Sequence, residues 1–272
     1  MKKTDPIAII GMGCRFAGAD DLASFWDMLV GARHGFSEVP NDRFAINRYH
    51  DHRPGKKGKV VNREGGFLKD VRGFDAQLFN LSHREAALMD PQHRLLLEVA
   101  WQAAEDAGLP TEKLAGSLGG VYVGLFTGDY RERILRRRDF DFDVYSEIGS
   151  TRSSAAGRIS HALDLRGPAI AVDAACASSL MAIQLAVQGL RAGETDVALA
   201  GGCNLVLEPE TSICFSRSGM LSPESRCKFG DASANGFVRS DGFGVVVLKR
   251  LSEALPTAPI KSMPKRKIPN AR

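Results

Sequence analysis

The chain has 272 residues, of which 44% are hydrophobic and 25% charged, and its formal net charge is +4 at pH 7. This length allows one large or two small domains with a buried core, and the composition excludes a coiled coil, collagen, long disorder and a small disulfide-rich protein. Five of the 36 basic residues and none of the 32 acidic residues lie in residues 256–272. The rest of the chain is close to neutral, so it lacks the clustered positive charge that nucleic-acid-binding proteins need.

The composition changes abruptly at Pro256, where a basic segment begins that holds four of the twelve prolines and no glycine. We predict that residues 256–272 form a disordered tail behind a folded unit at residues 1–255. No stretch approaches about 18 consecutive apolar residues, and the first residues lack the cleavage pattern of a signal peptide. The five cysteines contain no C-x-x-C pair. These features predict a cytoplasmic protein with reduced thiols and no contact with membranes.

The first predicted elements are a short buried strand at residues 7–10, which ends in a glycine turn, and a helix that Gly31 stops. Residues 33–80 are rich in turn formers and charges, and they predict a long irregular segment. A strong helix follows, because Asp90 can cap it, proline occupies its first position, and Gly108 can end it.

Further along, three buried strands are predicted at residues 119–126, 169–173 and 196–200. The helix predicted at residues 177–192 is apolar on nearly every side, which indicates burial on all sides. Residues 237–248 predict a terminal hairpin that turns at Asp241 and Gly242. This alternation of strands and helices predicts an α/β protein with a mixed sheet and a buried central helix.

Several common binding motifs are absent or incomplete. Gly11 and Gly13 follow a strand, but Phe16 stands where a dinucleotide-binding fingerprint needs its third glycine. The sequence contains neither a phosphate-binding P-loop nor a G-x-S-x-G elbow. His50 and His52 could ligate a metal, but no matching cluster accompanies them, so a surface histidine pair is the preferred interpretation and no metal is predicted.

The most informative local feature is the segment VDAACASSL, residues 172–180. Here a strand leads through a very short turn to the start of the apolar helix, and Cys176 lies at the junction. The N-terminus of a helix favours a thiolate, and a cysteine thiolate can form thioesters, so the site suits acyl transfer. A small buried cysteine that packs the junction is an equally good local interpretation. Cys14, Cys203, Cys214 and Cys227 lack this setting and are predicted to be structural.

Ordered blocks of sequence across most of the chain resemble the N-terminal half of the β-ketoacyl synthase (ketosynthase) domain of type I polyketide synthases. These blocks are DPIAIIGMGCRF (5–16), FSEVPNDRF (36–44), GGFLKDVRGFDAQLF (65–79), MDPQHRLLLEVAWQAAEDAG (89–108), LRGPAIAVDAACASSL (165–180), ALAGGCNLVLEP (198–209), FSRSGMLSPESRCK (215–228), NGFVRSDGFGVVVLKRL (235–251) and GVVVLKRLSEAL (244–255). The resemblance identifies residues 1–255 as the N-terminal part of such a domain, from the condensing-enzyme or thiolase superfamily.

This resemblance implies a thiolase-like fold with five layers, α-β-α-β-α, of which the chain would supply the N-terminal half, and it implies a homodimer of complete domains. Cys176 aligns with the acyl-accepting nucleophile, whose N–H also supplies one donor of the oxyanion hole. Phe215 aligns with a position that lines the acyl pocket. No cofactor is bound in the family, since an acyl carrier protein presents the substrates on its phosphopantetheine arm. The implied reaction is a decarboxylative Claisen condensation with a malonyl-type extender, as in polyketide and fatty acid biosynthesis.

The chain also departs from the family pattern. The usual aspartate-threonine-alanine-cysteine-serine run reads Asp173-Ala174-Ala175-Cys176-Ala177, which keeps the nucleophile but loses two hydroxyl groups. The family's two catalytic histidine blocks have no counterpart, and neither does the second oxyanion-hole donor. We therefore expect acylation but no condensation from this chain alone, with a separate C-terminal half as a possible partner. The alternative is a non-catalytic truncated remnant or an interaction fragment of a polyketide synthase.

Overall fold

The computed structural model describes residues 5–254, so the predicted disordered tail at residues 256–272 lies outside the described residues. Within them the chain forms a five-stranded mixed sheet with helices on both faces and a separate two-stranded sheet. The strands, numbered along the chain, are β1 (Ile7–Phe16), β2 (Phe36–Glu38), β3 (Glu64–Gly66), β4 (Gly119–Leu125), β5 (Ala169–Val172), β6 (Val197–Asn204) and β7 (Gly242–Arg250). The predicted mixed α/β architecture is confirmed.

The main sheet has the strand order β1-β7-β6-β4-β5. Strands β4, β5 and β6 run parallel, whereas β7 is antiparallel to both β6 and β1. The carboxyl ends of the three parallel strands therefore meet at one edge of the sheet, where ligands and reactive groups of open α/β sheets commonly lie. The segment at residues 33–80, predicted to be irregular, contains the antiparallel pair of β2 and β3 and a short helix at Ile46–Tyr49.

The helices are α1 (Leu22–Val30), α2 (Ile46–Tyr49), α3 (His83–Leu88), α4 (Pro91–Asp106), α5 (Thr111–Leu114), α6 (Asp129–Leu135), α7 (Val144–Ser150), α8 (Ser154–Ala162), α9 (Ser178–Ala192), α10 (Glu210–Arg217) and α11 (Leu251–Ala254). A 3₁₀ turn at Ala175–Ala177 precedes α9. None of the helices within residues 5–254 is long and apolar enough to cross a membrane.

Two hydrophobic cores lie on opposite faces of the main sheet. The larger core packs α4 and α8 against one face, through residues such as Val121 and Val247. The smaller core packs α9 against the other face, where Ala182 and Ala186 meet Tyr122. The alternation of side chains along the strands thus divides the sheet between the two helix layers.

The start of the chain differs from its prediction, because β1 continues through both of its glycines. A Cβ atom on Gly13 would lie 2.5 Å from the carbonyl oxygen of Val99, and one on Gly11 would lie 2.6 Å from the carbonyl oxygen of Ala103, both in the helix at Pro91–Asp106. The glycines therefore serve close packing of a strand against a helix and do not form a turn.

Helix α4 begins as predicted, because the Asp90 carboxylate accepts a hydrogen bond from the backbone N–H of Gln92.

The predicted terminal hairpin is wrong. Strand β7 pairs with β1 and β6, and Phe237 instead forms an isolated bridge with Leu221. Asp241 does not sit in an exposed turn, because its carboxylate is buried against the guanidinium of Arg43 at 3.0 Å. A buried ion pair at this position fixes the chain on entry to β7 and leaves no exposed turn for a hairpin.

The predicted burial of the central helix is only half right. One face of α9, including Ala182 and Leu190, is fully buried against the sheet. On the opposite face Leu180 is 70% exposed, and Met181 is exposed as well. The lack of a polar stripe predicts complete burial, but among residues 5–254 no element covers this side of α9.

Candidate active site

Cys176 lies at the carboxyl-terminal edge of the parallel strands, between β5 and α9. It is the middle residue of the 3₁₀ turn, and its side chain is exposed. Helix α9 starts directly behind it without a side-chain cap at Ala177. Since the first turn of a helix presents N–H groups and the positive end of the helix dipole, a thiol here is well placed for nucleophilic chemistry.

The turn that carries Cys176 has an unusual backbone. Ala175 has a φ of +50°, which is in the left-handed region that residues other than glycine rarely adopt. Asp173 accepts a hydrogen bond from the Ala175 N–H at 3.0 Å. On the other side, the buried Ser178 hydroxyl accepts from the Ala174 N–H at 2.9 Å and donates to the Ala175 carbonyl at 2.6 Å. Side chains before and after the cysteine thus hold both peptide groups of Ala175.

Arg152, from the segment between α7 and α8, extends this network. Its Nη1 atom donates to Asp173 Oδ2 at 3.0 Å and to the carbonyl oxygen of Phe126 at 2.7 Å. Phe126 directly follows β4, which pairs with β5 in parallel. The arginine therefore ties the end of one strand to the acidic residue at the end of its neighbour.

Two glycines allow α9 to rest directly on the sheet. A Cβ atom on Gly124 would lie 2.5 Å from the carbonyl carbon of Ser178, and a Cβ atom on Gly202 would lie 3.1 Å from Cβ of Ser179. Any larger residue at Gly124 would push the first turn of the helix off the strands. The close approach sets the height of the cysteine above the sheet edge.

The other cysteines differ from Cys176 in environment. Burial raises the pKa of the Cys203 thiol well above its usual value, and the nearby Asp90 adds to this effect. Burial also raises the pKa of Cys14, which lies in β1. Cys214 and Cys227 are exposed, but Cys214 lies within α10 and Cys227 lies in a loop. Among the five cysteines, Cys176 alone is an exposed residue at a strand-to-helix junction.

Phe215, the proposed acyl-pocket residue, lies on α10 and is half-buried. Its ring packs edge-to-face on Phe237 with centroids 5.6 Å apart, and the guanidinium carbon of Arg239 lies 5.8 Å from its centroid. These contacts place Phe215 in the small core beside Val60 and Leu221. Its role in an acyl pocket stays a prediction.

Sequence reasoning identified the cysteine but missed the residues that support its turn. Arg152 lies more than twenty positions before Cys176, and no local pattern links them. The positive φ of Ala175 was not visible either, because glycine is the usual sign of that conformation.

The histidine pair His50 and His52 was the candidate metal site in the sequence. Asp51, which lies between the two histidines, forms ion pairs with Arg53 and Lys56. Within residues 5–254 no group of three or more potential metal ligands comes together.

Comparison with known proteins places these features in a family. Residues 4–254 match the family described as the N-terminal domain of β-ketoacyl synthase. Over 252 residues, the chain is 50% identical to one polypeptide of the phenolphthiocerol/phthiocerol polyketide synthase from Mycobacterium tuberculosis. It is also 49% identical over 256 residues to a different polypeptide of that synthase from Mycobacterium bovis. These alignments cover 92% and 93% of the chain, but only 16% and 12% of the two synthase polypeptides.

Two solved ketosynthase structures share the fold. The ketosynthase from module 6 of the bacillaene synthase of Bacillus subtilis 168 superposes with a TM-score of 0.83 at 40% identity. The oxazolomycin ketosynthase domain of Streptomyces albus JA3453 gives a TM-score of 0.84 at 39% identity. The matches cover 92% and 93% of this chain and 41% and 43% of those two chains. The chain therefore spans about two fifths of the ketosynthase structures it matches.

Proposed function

Because the chain belongs to the β-ketoacyl synthase family and corresponds to its N-terminal domain, we propose that residues 1–255 carry the acyl-accepting half of a polyketide-type condensing domain, with Cys176 as the nucleophile. The single observation that supports this proposal is the exposed thiol of Cys176 at the junction of β5 and α9. We expect the substrate to be an acyl thioester on the phosphopantetheine arm of an acyl carrier protein.

In the proposed step, the Cys176 thiolate attacks the thioester carbonyl. The new carbon–sulfur bond to the cysteine forms, and the bond to the phosphopantetheine sulfur breaks. The released thiolate takes up a proton from solvent, so the acyl group is transferred without any oxidation or reduction. The negative oxygen of the tetrahedral intermediate accepts a hydrogen bond from the N–H of Cys176, as oxyanion-hole donors do in other acyl transfers.

The full family reaction continues with decarboxylation of a malonyl-type extender and attack of the resulting carbanion on the acyl-cysteine. In the ketosynthases that the sequence resembles, two histidine blocks serve these later steps. The 272 residues contain neither block. We therefore propose that this chain alone stops at the acylated cysteine. Condensation would need residues that supply both histidine blocks in addition to these 272, and the complete domains would form a homodimer.

The second candidate, a non-catalytic interaction fragment, is favoured by the exposed apolar side of α9. Leu180 and Met181 on this helix, together with Ile170 on β5, are exposed in the part of the chain that is described. Large exposed apolar patches mark interaction surfaces or cause self-association. Under this proposal the chain would bind other proteins through this side, and the cysteine would not be acylated.

The two proposals differ in what happens at the cysteine. The purified chain is incubated with an acyl thioester of phosphopantetheine on a carrier protein, and the products are followed by intact-protein mass spectrometry. We expect one acyl adduct that Cys176→Ala abolishes and that Cys214→Ala, a matched change of another exposed cysteine, leaves intact. With malonyl-carrier present, we expect no β-ketoacyl product. An adduct that persists in Cys176→Ala would refute the assignment of the nucleophile, and no adduct at all would favour the interaction fragment.

A further inference from the structure

We propose that Asp173 and Ser178 are positioning residues for the Cys176 nucleophile, and that Arg152 fixes Asp173 for this role. The inference rests on the proposed acyl transfer at Cys176 and concerns how the chain keeps that residue correctly oriented. It is carried by the juxtaposition of the left-handed Ala175 with side chains that bond to both of its peptide groups.

The backbone before the cysteine is in a conformation that an alanine does not adopt readily. Ala175 has a φ of +50°, and such a residue persists only where the surroundings hold it. The direction of the Cys176 N–H depends directly on this conformation, because the peptide group between the two residues carries that N–H. If Ala175 relaxed to negative φ, the N–H and the thiol of Cys176 would both be redirected.

Two side chains hold the turn from opposite sides. The Asp173 carboxylate accepts the N–H of Ala175, and the Ser178 hydroxyl donates to the carbonyl oxygen of Ala175. That carbonyl belongs to the same peptide group as the Cys176 N–H. The Ser178 hydroxyl therefore acts on the group whose N–H is the proposed oxyanion donor, although it does not touch the substrate.

Arg152 fixes Asp173 in the orientation that this role requires. One carboxylate oxygen of Asp173 receives the Ala175 N–H, and the other receives Arg152 Nη1 at 3.0 Å. The same nitrogen also donates to the carbonyl of Phe126 at the end of β4. The carboxylate is thus held by Arg152, which is itself bonded to the residue that follows β4, and it cannot rotate away from the turn without breaking these bonds.

Two reactions of the same thiol separate positioning from general reactivity. Acylation by a thioester passes through an oxyanion, so its rate depends on the direction of the Cys176 N–H. Alkylation by iodoacetamide displaces iodide without an oxyanion, so its rate depends only on whether the thiol is accessible and ionised. Loss of positioning should slow acylation alone, whereas loss of folding changes both rates.

The experiment uses the full chain and butyryl-N-acetylcysteamine as a small thioester. Misplacement of reacting groups by about 1 Å costs on the order of a hundredfold in rate, so we expect Asp173→Ala to slow acylation by about ten- to a hundredfold. Alkylation should stay close to the wild-type rate. Asp173→Asn keeps an oxygen that accepts the Ala175 N–H but presents an NH2 group where Arg152 donates, so its acylation rate should lie between those of Asp173→Ala and wild type. Adding Ala175→Gly to Asp173→Ala should restore part of it, because glycine adopts positive φ freely.

The matched control is Asp196→Ala, which removes another exposed carboxylate that is paired with an arginine, Arg250, at 2.7 Å. This variant should acylate at the wild-type rate. The positioning role is overturned if Asp173→Ala acylates as fast as wild type, or if its alkylation falls in parallel with its acylation. If the wild-type chain is alkylated at Cys176 but never acylated, the proposed function itself fails, and the positioning role fails with it.

Discussion

Replacing Asp241 with alanine should destabilise the protein severely. The Asp241 side chain is 0% exposed and that of Arg43 is 1% exposed, so the pair is completely removed from water. The carboxylate also accepts the backbone N–H groups of Leu68 at 3.0 Å and Val206 at 2.8 Å. Its removal takes away the buried counter-charge of Arg43, leaving only the more distant and partly exposed Asp42 at 4.0 Å, and it leaves two buried N–H groups without an acceptor. We expect the free energy of unfolding to fall by about 3–5 kcal/mol.

Such a loss is a large part of the total stability of about 5–15 kcal/mol that is usual for a folded domain. Urea unfolding followed by circular dichroism measures it as a lower transition midpoint. Leu68 and Val206 donate to different oxygens of the carboxylate, so Asp241→Asn keeps an acceptor for only one of the two N–H groups and should lose somewhat less stability than the alanine variant. Asp196→Ala breaks a partly exposed ion pair with Arg250 and should cost less than about 1 kcal/mol. A loss below about 1 kcal/mol for Asp241→Ala would refute the reasoning.

Two further predictions concern α4 and the strand beneath it. Burial raises the pKa of the Asp90 carboxyl to about 6, so its ionised form destabilises the protein above that pH. Asp90→Asn keeps an oxygen that caps α4 but carries no charge. It should therefore stabilise the protein by on the order of 1–3 kcal/mol at pH 8. Urea unfolding should show this difference in stability between the variant and wild type shrinking as the pH falls from 6 to 4. A difference that stays constant with pH would contradict the prediction. The titration of the buried His93, whose pKa is lowered to about 3, affects both proteins equally. Gly13→Ala should lower the thermal midpoint by the equivalent of about 1–3 kcal/mol, because the new Cβ would meet the Val99 carbonyl. The control Gly157→Ala has open space around it on α8 and should be neutral or stabilising. An unchanged midpoint for Gly13→Ala would be evidence against the close packing.

The parts of the fold that the sequence predicted well have strong local causes. Helix α4 was found because Asp90, Pro91 and Gly108 are unambiguous start and stop signals. The predictions failed where a residue serves a distant part of the chain. Gly13 suggested a turn but lies inside β1, since its purpose is contact with a helix some ninety positions away. Asp241 suggested a hairpin turn but pairs with Arg43, which a local pattern cannot show.

The candidate site divides in the same way. Cys176 was identified from its own neighbourhood, because the end of a strand and the start of a helix are both local patterns. The residues that hold its turn were not, since Arg152 reaches it only through the tertiary fold. The exposed side of α9 could be predicted only in part. Sequence shows that this helix lacks a polar stripe, but only the structure shows that one of its sides is buried and the other is exposed.

The contact of α9 with Gly124 and Gly202 has a consequence for how the protein tolerates change. Where a helix is separated from a sheet by side chains, each substitution in that layer alters the spacing, and the helix drifts as the core diverges. Here main-chain atoms meet main-chain atoms and the Cβ of Ser179, so the spacing is a property of the polypeptide itself. Substitutions elsewhere in the core therefore leave this spacing unchanged as long as the contact itself is kept. The two glycines thus fix the distance between the start of α9, directly behind Cys176, and the strands of the sheet.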